Sequence, residues 1–394
     1  DGTVTANANL ASVKTFDFSA ATNLTTIGNY NFYNLDALET VVLPDSVTYI
    51  GAQCFYDCPN LTTVTLPAGA TMNMNNAPFA YCGKLTSVTL PGTLEGTSNA
   101  GAFAVEGESE RNLSVSFSGS RAVFDLHTKP AAANLADATI NCFVGSTTVQ
   151  DGNGVIYLLC EDADGNEYYT LAGFYDTVNN PDDGVTPVAG YTLPLTYNNI
   201  PVKAIGEAAF NVNAYANEDI ANWLGSSLGA IVLAGGAAET NIESIGNYNY
   251  VGLAATQINQ PDSIINETLV GCYCDLNAAA YIRVPRGVKV LDSCFQWSGT
   301  YFGASGGKWL VLPASLEKFS GESWTGTASS NFGVVMDVDN AQALSAMKAV
   351  FESSDCTTAG WSSIVAWFGT FTEAIVLGAG HPTGFSYDLF INLG

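Results

Sequence analysis

The chain repeats itself, and that repeat restricts its fold more tightly than any other feature. Three phrases align in register: Ile27-Gly28, Phe32, Leu35, Leu38, Val41, Leu43-Pro44; then Ile50-Gly51, Phe55, Cys58, Leu61, Val64, Leu66-Pro67; then Phe79, Cys82, Leu85, Val88, Leu90-Pro91. Successive Leu-Pro pairs lie 23 and then 24 residues apart. A unit of that size cannot cover its own apolar face, so neighbouring units must cover one another. The predicted architecture is a repeat solenoid.

Spacing within the phrase assigns the local structure. From Leu61 to Leu66 apolar and polar residues alternate, the pattern of a short half-buried strand, and Pro67 ends it by withholding a ladder donor. Phe55, Cys58 and Leu61 sit three apart, which places them on one face of a single turn of α or 3₁₀ helix. Ile50-Gly51 supplies a buried anchor and a flexible joint between the two pieces. Each unit of about 23 residues is therefore expected to be right-handed β/α, a short strand plus a short helical turn. Phe32, Phe55 and Phe79 should line up in single file, with Cys58 and Cys82 packed beside them as small apolar groups and Leu43, Leu66 and Leu90 closing the strands.

A second series follows residue 200. Ile205-Gly206 leads to Phe210, Ile245-Gly246 leads to Tyr250 and Leu253, and weaker units carry Cys272, Val284-Pro285, Cys294 and Leu312-Pro313. The insertions 211–227 and 298–308 are expected on loops. Between the series, Gly154 to Leu159, a turn at Asp164-Gly165 and Tyr168 to Ala172 read as a β-hairpin, an inserted capping module. Four segments result: residues 1–148, a first array degenerate after 95; 149–200, the hairpin module; 201–335, a second array with insertions; and 336–394, a C-terminal cap, helical over 340–352.

These phrases resemble the BspA-type leucine-rich repeats of bacterial surface proteins, whose units read I-G-x-x-x-F-x-x-C-x-x-L-x-x-V-x-L-P; Ile50 to Pro67 matches nearly throughout. Gly154 to Tyr157, Leu193-Pro194 and Val202 to Phe210 are similar to the module that opens such arrays. The resemblance spans roughly 20–335 and implies a leucine-rich-repeat-like solenoid, exported or surface-anchored, in a family some of whose members adhere to host matrix proteins or other cells.

Charge narrows the partners. Lys and Arg number 12 against 37 Asp and Glu, a formal net charge of −25, which repels phosphate backbones and anionic lipid surfaces. Nucleic acid is excluded as an expected partner, and no stretch is long and apolar enough to span a bilayer. The chain opens at Asp1 without a hydrophobic export segment, as expected of a mature extracellular or cell-surface form. It is expected to be a monomer.

Chemical motifs are sparse. Nine cysteines and two histidines, His127 and His381, show no paired zinc spacing, and neither a metal nor any cofactor is expected. Gly225-Ser226-Ser227-Leu228-Gly229 fits the pattern of a hydrolase nucleophile, but it precedes a repeat strand where the chemistry requires one before it. Asp162 to Asn166 has a hint of a calcium loop yet lacks the spaced ligand set and reads as a hairpin tip. Gly378 to Gly384 has a glycine spacing unlike a dinucleotide loop, with Pro382 inside it.

The expected function is therefore non-catalytic binding or adhesion through the exposed sheet face, with a host matrix or cell-surface protein, or a glycan, as partner. A glycan-directed enzyme or accessory subunit, its site in the irregular segments 95–145 or 335–394, is the alternative. Outward positions of the first series are small and weakly polar: Thr40, Val42, Thr63, Thr65, Ser87 and Thr89. Those of the second include Gln257, Asn259, Tyr281, Arg283 and Trp309, and of these tyrosine, arginine and tryptophan are the types in which interfaces concentrate their energy. Packing of these aromatics beneath an insertion is the competing role.

Overall fold

Within each of two units, one strand from each repeat joins a largely parallel sheet, and the rest of the repeat is arranged to keep those strands in register. The computed structural model describes residues 10–105, 112–174, 191–215, 218–228, 231–233, 241–255, 257–258, 263–276, 281–295, 309–321, 333–337, 346, 349–350, 366–370 and 375–377. They divide into two units. The first comprises Asp1–Leu159, Ala172–Thr186 and Asn213–Ile220, and the second Cys160–Leu171, Pro187–Val212 and Ala221–Gly394.

In the first unit the sheet runs Thr15–Asp17, Thr40–Val42, Thr63–Thr65, Ser87–Leu90, Ser114–Phe117 and Thr139–Asn141, every pair parallel. Val41, Val64, Val88, Val115 and Ile140 share one register row and are buried. The sheet thus continues in register through the stretch after residue 95, where the phrase fades in the sequence. There the chain also inserts the helix Arg121–Thr128, whose first turn is capped by Ser120 Oγ accepting from the Val123 N–H at 3.2 Å.

The Ile-Gly segments do more than join pieces. Thr26–Ile27, Tyr49–Ile50, Thr71–Asn73 and Thr93–Glu95 form a second parallel sheet, with Ile27, Ile50, Met72 and Leu94 buried in one row. Each Leu-Pro turns the chain between the two sheets: the carbonyl of Pro44 accepts from the Val47 N–H and that of Pro67 from the Ala70 N–H, both at 3.1 Å. Gly51 is not a flexible joint. A Cβ there would collide with the backbone of Asn29 and Gly28 in the preceding unit, so glycine is needed for close approach, and Gly246 meets the backbone of Gly206 and Glu207 in the same way.

The expected helical turn is replaced by a different backbone. Residues two before and two after the central phenylalanine hold positive φ: Tyr30 and Asn34, Gln53 and Asp57, Ala77 and Tyr81. Alternating hands aim the N–H of every second residue at the next unit, where the carbonyls of Ala52, Cys54 and Tyr56 accept from Tyr30, Phe32 and Asn34 at 3.1, 2.9 and 2.9 Å. A helix would use those donors within its own turn; here they tie layer to layer. The three-residue spacing of Phe55, Cys58 and Leu61 survives because all three face inward, and all are fully buried.

Behind this ladder the phenylalanines stack in single file, Phe32 to Phe55 at 5.3 Å, Phe55 to Phe79 at 5.4 Å and Phe79 to Phe103 at 5.3 Å between ring centroids. The thiols of Cys58 and Cys82 donate to the carbonyls of Phe32 and Phe55, at 2.9 and 3.0 Å, pairing groups that burial would otherwise orphan.

The second unit repeats the plan. Its long sheet orders Tyr191–Leu193, Ile231–Leu233, Gln257–Ile258, Tyr281–Arg283, Trp309–Pro313, Gly333–Asp337, Ala366–Thr370 and Ile375–Leu377, parallel except for the last pair. Thr268–Val270, Val290–Asp292 and Lys318–Ser320 form a parallel second sheet. Phe210, Tyr250, Tyr273 and Phe295 stack at 5.8, 5.6 and 5.3 Å, and Ile205 and Ile245 are buried. Asn249, wholly buried, accepts from the Phe210 N–H and donates to the carbonyls of Gly206 and Gly246.

The insertion 211–227, expected as loop, contains helical turns at Val212–Ala214, Glu218–Asn222 and Trp223–Ser227, held by the buried side chains of Ala214, Tyr215, Ile220, Trp223 and Leu224. The turn at Asp162 to Gly165 joins the strands Val155–Glu161 and Glu167–Phe174. The insertion 298–308 and most of the expected helix over 340–352 lie outside the described residues.

Removing one ring from the file should be costly, because the rings on either side of it each lose a stacking partner. Phe55→Ala is expected to destabilise the first unit by about 3–5 kcal/mol in urea unfolding followed by circular dichroism. A change under about 1 kcal/mol would show that the file does not hold the layers together.

Candidate functional site

Parallel register turns each outward position into a row that crosses the whole sheet. In the first unit one row reads Thr15, Thr40, Thr63, Ser87, Ser114 and Thr139, and the other Asp17, Val42, Thr65, Thr89, Ser116 and Asn141. Thr63, Thr65 and Val42 are exposed and most of the others half-buried, so this face offers small hydroxyls and almost no charge.

In the second unit Gln257, Tyr281 and Trp309 are register partners on successive strands, and Arg283 pairs with Val311 two positions along. Arg283 is half-buried, and between the rows Ile258 and Ile282 are buried. The backbone thus brings four of the five sequence-derived candidates onto three adjacent strands. Asn259 lies outside the described residues.

A second feature was not anticipated from the sequence. On the turn side of the first unit Tyr33, Tyr56, Asp57, Pro59, Tyr81, Gly83 and Val105 line a concavity of about 470 Å³. Tyr33 and Tyr56 stack at 5.1 Å with nearly parallel planes, whereas Tyr81 meets Tyr56 edge-on at 5.3 Å and 75°. Partial burial, reinforced by Tyr81, raises the pKa of the Tyr56 phenol, which keeps its proton at neutral pH. The signal was the aromatic that follows each central phenylalanine, at one position in Phe32-Tyr33 and Phe55-Tyr56 and at two in Phe79-Ala80-Tyr81.

The remaining motifs take structural roles. Ser227 ends the helical turn Trp223–Ser227 and the strand Ile231–Leu233 follows, the reverse of a nucleophile elbow. One carboxylate oxygen of Asp162 accepts from the N–H groups of Asp164 and Asn166 at 3.0 and 2.9 Å, and these bonds, with Asn166 foremost, hold its pKa below the usual carboxylate value. Its turn thus uses its own acceptor. His127 is buried, its Nδ1 on the carbonyl of Gly96, and burial lowers its pKa. Gly378 to Gly384, with His381, lies outside the described residues. Among the described residues no cluster of three or more His, Cys, Asp or Glu could hold a metal, and no helix is long and apolar enough to cross a membrane.

With strands, glycine contacts and ring file in view, the sequence comparison is decisive for the first array: the profile of the BspA type leucine rich repeat region matches residues 5–111 in six copies. Over residues 5–111 the sequence is thus similar to the BspA-type leucine-rich repeat. Two solved structures align over most of the chain at 14% identity: a leucine-rich repeat protein from Bacteroides ovatus, covering 84% of this chain and 74% of that one with a TM-score of 0.21, and the pneumococcal vaccine antigen PcpA, covering 87% and 77% with a TM-score of 0.25. Superpositions that loose add nothing to the fold read from the chain itself. No curated protein gives a match.

The buried cysteines of both units are structural in their chemistry as well as their position. Burial pushes the Cys54 and Cys58 thiols up to about 12, and Cys142 and Cys272 likewise, so at neutral pH they are protonated and poor nucleophiles. The sign of the linkage follows: the unfolded chain ionises these thiols from about pH 8.5 while the folded chain does not, so their contribution is intact below that pH and declines as pH rises toward 12. Treating the native protein at pH 8 with a thiol reagent should leave Cys54, Cys58, Cys142 and Cys272 unmodified by peptide mass spectrometry, and guanidinium should expose them. Modification of these four in the native state would refute the assignment.

Proposed function

We propose that this chain is a non-catalytic binding or adhesion protein of the cell surface or extracellular space, presenting the sheet face of its second unit to a protein or glycan partner. The observation that carries this reading is the register row Gln257, Tyr281, Trp309, with Arg283 on the middle strand. Parallel strands about 4.8 Å apart hold the backbone of such a row at fixed spacing. Tyrosine, tryptophan and arginine are the types that dominate interface energies. Asn259 extends the second row in the sequence pattern.

Two further considerations support the reading. BspA-type leucine-rich repeat proteins are generally non-catalytic, and the family suggests export or surface display. A net charge of −25 also disfavours nucleic acid and anionic membranes, leaving host matrix or cell-surface proteins and glycans as the partner classes. Within this reading residues 149–200 serve as an opening module for the second array and 336–394 as its terminal cap, since exposed ends of a stack require cover.

The test begins with an array of matrix proteins and glycans probed with the purified chain. Double substitution of Tyr281 and Trp309 by alanine is expected to weaken the strongest interaction at least tenfold while shifting Tm by under about 2 °C. A parallel collapse of Tm would assign the two aromatics to packing and remove the proposed face.

A further inference from the structure

The four-stranded second sheet of the first unit ends at Thr93–Glu95, and the helix Arg121–Thr128 packs against that last strand. One residue joins helix to turn in both directions: the carbonyl of His127 accepts from the Ser98 N–H at 2.9 Å, and its ring Nδ1 meets the carbonyl of Gly96. We propose that this junction is a clasp that acid loosens, closed while the His127 imidazole is neutral and weakened when the ring takes up a second proton. It involves neither the sheet rows nor a partner, so it stands or falls without the sheet-face reading.

The hydrogen bonds set the state of the ring. A carbonyl only accepts, so Nδ1 carries the proton and Nε2 keeps a bare lone pair. Among the described residues that Nε2 has no hydrogen-bond partner, and neither has the buried hydroxyl of Ser98 on the same turn. A proton from solvent would bind at the lone pair and turn a neutral ring into a cation, in a residue only 5% exposed. Such a charge is costly unless an opposite charge pairs with it.

The surrounding groups do not supply that pair. On the same helix Arg121 and Asp125 bridge each other at 2.8 Å. From the strand, Glu95 favours the charged ring, yet its effect ranks below that of burial and of the Gly96 carbonyl, and its Oε1 already accepts from the Tyr49 hydroxyl at 2.8 Å and the Asn73 amide at 3.1 Å. The turn Gly96-Thr97-Ser98 and the strand Ser114–Phe117, whose Phe117 meets Phe124, bring no titratable side chain. Lys129, next after the helix, directs its ammonium to the carbonyls of Asn213 and Tyr215. Burial prevails and lowers the pKa of the ring. The unfolded imidazole titrates near about 6.5 and the docked one below it, so the released helix binds more protons as the pH falls under about 6.5. The clasp is at full strength above that pH and loses strength beneath it.

The test is hydrogen exchange of the full chain read by mass spectrometry at about pH 7.5 and about pH 5.0, corrected for the intrinsic exchange rate at each pH. Protection of peptides covering 121–128 is expected to fall at least threefold at the lower pH, while that of Thr63–Thr65 and Ser87–Leu90 holds. His127→Asn keeps an amide donor for the Gly96 carbonyl but takes no proton, and it should abolish the fall. Thermal melts establish that the variant is folded. Nitrogen NMR of the unaltered rings, with His381→Gln to assign the two histidine signals, should show the Nδ1–H tautomer for His127 at neutral pH and titration below about 6.5, and it decides the matter if His127→Asn does not fold. No fall over 121–128, an equal fall in the two strands, a fall that persists in His127→Asn, or a ring that titrates at or above about 6.5 would each overturn the proposal.

Discussion

Backbone donors in this protein are satisfied across layers. In the first unit the Tyr30, Phe32 and Asn34 N–H groups bond to the next unit, and so do those of Asp57 and Tyr81. Buried peptide groups without partners are costly, so no single unit is stable without a neighbour of matching register. Every other feature of the repeat serves that match. Glycine at 51 and 246 permits the approach, thiols at 58 and 82 pair the carbonyls left over, and the phenylalanine file fills the space the layers enclose.

How much of this was legible in the sequence can be judged residue by residue. The alternation from Leu61 to Leu66 was sufficient for the strand Thr63–Thr65, because period two has no other common cause. Phe55, Cys58 and Leu61 at intervals of three were ambiguous: any inward-facing turn with that repeat looks the same, and the left-handed positions that distinguish it here, Tyr30, Asn34, Gln53, Asp57, Ala77 and Tyr81, share no one residue type from unit to unit. The second sheet was hidden because a strand such as Tyr49–Ile50 is too short to show periodicity.

The candidate surfaces were legible unequally for the same reason. Gln257, Tyr281 and Trp309 could be aligned because each precedes a recognisable apolar position in its own phrase, and parallel pairing preserves that alignment across the sheet. Tyr33, Tyr56 and Tyr81 do not hold one fixed place in the phrase. Only the geometry of the turn brings Tyr81, one residue later than the others, back against Tyr56.

The one-way direction of the turn bonds in the first unit has an electrical consequence. Peptide dipoles that point alike along a column do not cancel, and they leave bare acceptors at one extremity and bare donors at the other. Such an array has a head and a tail. Lengthening it by duplicating a unit preserves that polarity, whereas joining two arrays through like ends would set acceptor against acceptor, so growth of the stack is confined to a single orientation.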